Sequence, residues 1–172
     1  MFTIRRISAL AALSASLLAA VVVAGAGPAS AAPDGRIFIR NEGGNQNLDV
    51  SEGDVRPGAV VLTYTPNWQD NQKWILDRQN DGTFHIITVV DPDLCVTAGS
   101  PQSTAGQIKL RMCDARAAQK WHFSPEGPNI GLLESARYEG LSLAAGDDDA
   151  GAVLSPTNPD DDYQRWSFID AS

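Results

Sequence analysis

The tripeptide Gln-x-Trp occurs three times, as Gln72-Lys73-Trp74, Gln119-Lys120-Trp121 and Gln164-Arg165-Trp166, with the tryptophans 47 and 45 residues apart. A near-constant period of this length marks one supersecondary unit used several times, each copy too small to bury a hydrophobic face alone. Three such units must share one core around a pseudo-threefold axis. Short runs rich in β-branched or aromatic residues recur between Gly, Pro, Asn and Asp clusters, and helix signals are nearly absent. The runs are RIFIR, NLDVS, AVVLTY, KWILD, FHIITVV, LCVTA, QIKLRM, KWHFS, NIGLLE, LSLAA, AVLSP and RWSFI. They predict an all-β chain with four strands in each of three repeats, at about 35–81, 82–127 and 128–172.

The first 31 residues read differently from the rest. Arg5 and Arg6 precede an apolar, alanine-rich run that breaks at Gly25, Gly27 and Pro28 and reaches Ala29-Ser30-Ala31. This order predicts a secretory signal peptide cleaved after Ala31, a mature domain of residues 32–172 and an extracellular destination. A membrane anchor fits less well, because the run is mostly Ala, Ser and Val and no stop-transfer charges follow it. Without Arg5 and Arg6 the formal charge falls from −8 to −10. So acidic a domain is a poor partner for nucleic acid or anionic membranes. In an exported chain the two cysteines, Cys95 and Cys113, are expected to form one disulfide, which the loop-entropy estimate values at roughly 3 kcal/mol. Without paired histidines nearby they do not make a zinc site.

Each tryptophan is a large apolar side chain at an inward strand position, and its indole N–H needs an acceptor once buried. The glutamine two residues earlier lies on the same strand face and can bond neighbouring backbone. Trp74, Gln119, Trp121, Gln164 and Trp166 are therefore read as structural core rather than ligand contacts. Overlaid without gaps, the segments starting at Asn47, Cys95 and Gly140 align Gly58, Gly106 and Gly151 in one column, where a turn would need a permissive backbone. The same overlay sets Asn47 and Thr65, or Gly140 and Asn158, in the places of the cysteines.

Three Gln-x-Trp copies, the cysteine pair flanking a central hairpin, and the phrase LDVSEGDVRPGAVV leading to DNQKW together resemble the ricin B-type lectin family, from about Gly35 to Asp170. The resemblance implies a β-trefoil and a shallow sugar pocket in each repeat. Such a pocket is built from an Asp near the first cysteine position, an aromatic platform, and an Asn just before the Gln. The first repeat supplies Asp49, Asn71 beside Gln72, and Tyr64 at or next to the platform position. The second repeat has Thr97, Arg111 and Ala118, and the third has Ser142, Pro156 and Tyr163. One active pocket is thus expected, with Asp49 and Asn71 bonding sugar hydroxyls, Tyr64 stacking, and Gln72 orienting Asp49 or the backbone. Trp68 in the adjoining loop offers either a second stacking surface or a contact folded back on the core.

The resemblance implies galactose-type or xylan-like glycans as partners, with no cofactor and no metal. The acidic triplets Asp147 to Asp149 and Asp160 to Asp162 lack the spacing of a calcium loop and read as solvated charge. His85 and His122 stand in no nucleophile or metal motif, and no carboxylate pair is selected by spacing, so no enzymatic activity is expected. The competing reading is an interaction protein on the same scaffold, such as a β-trefoil protease inhibitor.

Overall fold

The computed structural model describes residues 35–101, 107–146 and 151–171. The predicted leader, Gly106 and Asp147 to Asp149 lie outside the described residues. Within them each of the twelve runs forms a strand. The first repeat supplies β1 (Arg36–Asn41), β2 (Asn47–Val50), β3 (Val61–Tyr64) and β4 (Lys73–Arg78). The second supplies β5 (Phe84–Thr88), β6 (Leu94–Thr97), β7 (Lys109–Met112) and β8 (Trp121–Gly127). The third supplies β9 (Ile130–Ser135), β10 (Leu141–Ala144), β11 (Val153–Pro156) and β12 (Arg165–Asp170). Single 3₁₀ turns at Asp70–Gln72, Ala117–Gln119 and Asp162–Gln164 lead into the tryptophan strands.

Pairing follows the repeat. The first strand of each unit pairs with the fourth strand of its own unit and with the fourth strand of the unit before it, so that β1, β4, β5, β8, β9 and β12 close into a ring. Closure leaves the barrel without an open edge. The hairpins β2–β3, β6–β7 and β10–β11 cover one end. At their meeting point Val61 N–H donates to the Ile108 carbonyl (2.9 Å), Ile108 N–H to that of Ala152 (3.0 Å), and Ala152 N–H to that of Val61 (2.8 Å). One residue from each repeat thus closes a cyclic set of backbone bonds on the pseudo-threefold axis. The chain is a β-trefoil.

Trp74, Trp121 and Trp166 have no exposed surface. Their indole nitrogens donate to the carbonyls of Leu48 (3.0 Å), Val96 (3.2 Å) and Leu143 (2.9 Å). These bonds define which residues are equivalent. Asn47, Cys95 and Ser142 share one position, and Asp49, Thr97 and Ala144 another. The gapless overlay is therefore two residues out at the start of the third repeat. The cause is hairpin length: Asn47 pairs with Tyr64 and Cys95 with Arg111, whereas Ser142 already meets Ser155. Tyr64, Arg111 and Ser155 are equivalent in consequence, and Pro156 is not in the platform position.

The supposed glycine column dissolves for the same reason. Gly58 has a φ of +95°, as a tight turn requires, but Gly151 is not in the left-handed region. A Cβ on Gly151 would stand 2.8 Å from Val60 Cγ1, so close approach of hairpins near the axis, not a turn, calls for glycine there.

Cys95 and Cys113 are bonded. In the third repeat the corresponding pair is Ser142 and Thr157, whose hydroxyl oxygens are 2.8 Å apart, so a hydrogen bond replaces the disulfide. The pair can accordingly be exchanged. Cys95→Ser with Cys113→Thr is expected to lower stability in urea unfolding by about 2 kcal/mol, against about 3 kcal/mol for Cys95→Ala with Cys113→Ala, because the hydrogen bond recovers part of the loss.

Candidate functional site

The three glutamines make homologous bonds that fix the loop before each tryptophan strand. Gln72 Oε1 accepts from Asn67 N–H (3.0 Å) and Asn47 Nδ2 (3.0 Å), while its Nε2 donates to the Thr65 carbonyl (3.1 Å) and Asp49 Oδ2 (2.7 Å). Gln119 accepts from Asp114 N–H (2.7 Å) and donates to the Met112 carbonyl (2.9 Å) and Thr97 Oγ1 (3.1 Å). Gln164 accepts from Asn158 N–H (3.1 Å) and donates to the Pro156 carbonyl (2.9 Å) and Asp161 Oδ2 (3.2 Å). Two of these bonds are the same in every repeat and belong to the fold. The remaining amide hydrogen goes to whatever stands at the pocket position: a carboxylate in the first repeat, a hydroxyl in the second. In the third repeat Ala144 has no acceptor, and the bond is diverted to Asp161.

Asp49 is 3% exposed. Its Oδ1 accepts from Asn71 Nδ2 (2.9 Å) and its Oδ2 from Gln72 Nε2. Burial pushes its pKa above the ordinary value of 3.8, against a smaller downward pull from the two amides. Both oxygens are thereby held in fixed directions while retaining lone pairs toward a surface concavity of about 480 Å³. Asp49, Glu52, Leu62, Tyr64, Asn67 and Asn71 are among the residues that line it. Asp49 and Leu62 are ladder partners, and Tyr64 lies two residues further along β3, so all three project from the same face of the hairpin. Tyr64 is 52% exposed, which leaves its ring free to cover a flat apolar surface.

Of the residues expected at the site, Asp49, Tyr64 and Asn71 come together in the concavity. Gln72 stands behind Asp49 with no exposed surface, so it can position the carboxylate but touch no ligand. Trp68 does not line the concavity, although its neighbours Asn67 and Gln69 do. Its ring meets Phe38 edge-to-face at 5.1 Å with the Arg40 guanidinium 5.8 Å from its centre. More than half of the residue remains exposed, at a backbone φ of +64°. It is both folded back and available.

Sequence reasoning missed the Ser51–Gly53 turn, which lines the concavity with Glu52 and Gly53 at φ of +58° and +67°. The Ser-Glu-Gly-Asp run announces a turn there, but nothing in it says that Glu52 takes the left-handed conformation. The concavity thus carries two carboxylates and no cation. His85 is buried and His122 exposed, and neither lines it. In the acidic stretch from Asp160, Asp161 Oδ1 accepts from Tyr163 N–H (3.0 Å) and Asp162 pairs with Arg165 (2.8 Å), so these side chains fasten a turn. Among the described residues no cluster of His, Cys, Asp and Glu is suited to a metal ion, and no helix is long and apolar enough to cross a membrane.

Residues 36–166 match the family described as the ricin-type beta-trefoil lectin domain. The chain belongs to this family. Similar solved structures show the same fold. A designed threefold-symmetric protein, ThreeFoil, is 21% identical over 80% of this chain and 99% of its own, at a TM-score of 0.71. The Rhizoctonia solani agglutinin is 22% identical over 81% and 97%, at 0.64. The C-half of an earthworm R-type lectin, solved in complex with GalNAc, is 17% identical over 78% and 98%, at 0.59. Among curated proteins none matches. As a ricin-type β-trefoil, the chain carries the family's repeat geometry three times and an acid–amide–aromatic set only in the first repeat.

Proposed function

We propose that this chain is a secreted, non-enzymatic lectin that binds a galactose-type or xylan-like glycan through the first repeat. The observation that carries the reading is the Asp49 carboxylate, fixed by Asn71 and Gln72 at the base of a concavity of about 480 Å³ and faced by an exposed Tyr64. Two adjacent sugar hydroxyls donate to such a carboxylate, Asn71 supplies an amide group at the rim, and the tyrosine ring covers the C–H face. Membership of a lectin family supports the ligand class. The GalNAc complex of the earthworm neighbour supports the galactose type.

A single shallow site of this kind binds a monosaccharide at roughly mM strength, about 4 kcal/mol, and gains from a polymer through repeated contacts. A glycan and polysaccharide screen of residues 32–172 tests the reading. Binding to a neutral galactose- or xylose-containing glycan is the expected result, and inhibition of a protease without binding to any glycan would replace it with the interaction-protein reading.

Acidity gives a further check. Protonating Asp49 removes the acceptor, and burial places that event at a higher pH than for an ordinary carboxylate. Affinity measured by calorimetry is therefore expected to fall as pH drops, with a midpoint above 3.8.

A further inference from the structure

The second repeat contains a concavity in the same structural place, of about 470 Å³, with its chemistry reversed. Thr97 stands where the first repeat has Asp49, Arg111 where it has Tyr64, and Ala118 where it has Asn71; all three line the hollow, together with Met112 and Arg116. The Thr97 hydroxyl is already committed, donating to the Cys95 carbonyl (3.1 Å) and accepting from Gln119 Nε2 (3.1 Å). Thr97 therefore offers sugar hydroxyls no carboxylate, and Ala118 supplies no amide where the first repeat has Asn71.

Cations replace them. Arg111 is exposed, and among the described residues its guanidinium has no hydrogen bond or ion pair. Lys109, half-buried and directly across from Thr97 on the same face of the hairpin, is likewise unpaired among the described residues, although it does not line the hollow. Asp114 at the rim is neutralised by Arg116 at 2.7 Å. The balance of this hollow is positive in a chain whose formal charge is −8, whereas the equivalent hollow of the first repeat carries Asp49 and Glu52.

We infer that the second-repeat concavity is a binding site for an anionic sugar residue, one bearing a carboxylate or a sulfate. The Arg111 fork matches the paired oxygens of either group, and Lys109 on the same hairpin face adds positive charge at longer range. Met112, an exposed residue, and Ala118 give the sugar's C–H face an apolar seat. The two hollows flank one hairpin loop. Ser51 to Gly53 line the first, and Pro57 from the same loop walls the second, which suits one polysaccharide chain carrying both neutral and acidic residues.

The inference is independent of the first-repeat site and is tested separately. Calorimetric titration would use oligogalacturonate, its methyl ester and a sulfated galactan oligosaccharide, on the native protein, Arg111→Gln and Asp49→Thr. Arg111 is exposed, so its replacement leaves the fold intact. Expected is binding of at least one of the two acidic ligands, tighter than the methyl ester and weakened about tenfold by Arg111→Gln, the loss of one charge-assisted hydrogen-bond pair. Whichever acidic ligand binds identifies the anion, and the Arg111→Gln effect is expected to persist in Asp49→Thr. Equal affinity for the ester, unchanged affinity in Arg111→Gln, or equally tight binding of oligo-aspartate would overturn it.

Discussion

Replacing Asp49 with threonine is expected to weaken neutral-sugar binding at least about a hundredfold while leaving the protein as stable as before, or more so. The loss follows from chemistry: the carboxylate accepts charge-assisted bonds from two hydroxyls, each worth about 1.5–3 kcal/mol, and a single hydroxyl already bonded to Gln72 replaces neither. The tolerance follows from the second repeat, in which Thr97 holds this position and receives the homologous glutamine bond at 3.1 Å. Burial raises the Asp49 pKa, so the folded state takes up a proton on this group more readily than the unfolded chain. Its contribution to stability is then most favourable below the unfolded value near 3.8 and is lost as pH rises through the folded value. At neutral pH the charged Asp49 is a cost, and Asp49→Thr removes it. Urea unfolding at pH 4 and pH 7 is expected to show the variant gaining on the native protein as pH rises.

The opposite combination is expected for Gln72→Leu, which should lower stability by about 4 kcal/mol or more and abolish binding as a consequence. Gln72 has no exposed surface and makes four hydrogen bonds, to Asn47, Asp49, Thr65 and Asn67. Leucine fills a similar volume but leaves all four partners without its bond, two of them, Asn47 and Asp49, on buried side chains, at about 1 kcal/mol or more apiece. The Asp49 carboxylate is the most expensive of them to leave. In Asp49→Thr with Gln72→Leu that charge is gone, so chemical denaturation should show the double variant losing less than the sum of its parts.

These two residues also show what could be read before folding. The Gln-x-Trp period specified three units and a shared core because a buried tryptophan and its glutamine are needed once per unit, whatever the loops do. Asn71 was legible because it directly precedes Gln72, and Asp49 because it lies two residues after Asn47, the first repeat's counterpart of Cys95. The third repeat was misaligned because its hairpin is shorter, and register across a hairpin is set by strand pairing rather than by residue count. Ser142 was thereby compared with Asp49, when its partner is Thr157 and Ala144 holds the pocket position.

Trp68 and Glu52 were beyond sequence reasoning for a different reason. Both adopt positive φ, a conformation imposed by surrounding contacts that the residue types themselves disfavour. For Trp68 the outcome is a ring lodged against Phe38 and beneath Arg40 instead of over the concavity. The Arg111 position carried its own lesson. An arginine in place of an aromatic reads in sequence as a lost sugar platform, and only the unpaired Arg111 guanidinium lining the hollow gives it another meaning.

The central claim is that the first repeat alone receives neutral sugar, at the Asp49 carboxylate. Amide chemical shifts recorded while titrating residues 32–172 with galactose- and xylose-containing oligosaccharides test it most directly. The account predicts saturable shifts confined to Ser51 to Gly53, Tyr64 and Asn67 to Asn71, all absent in Asp49→Thr. Shifts centred on the third repeat, or the same shifts in Asp49→Thr, would contradict it.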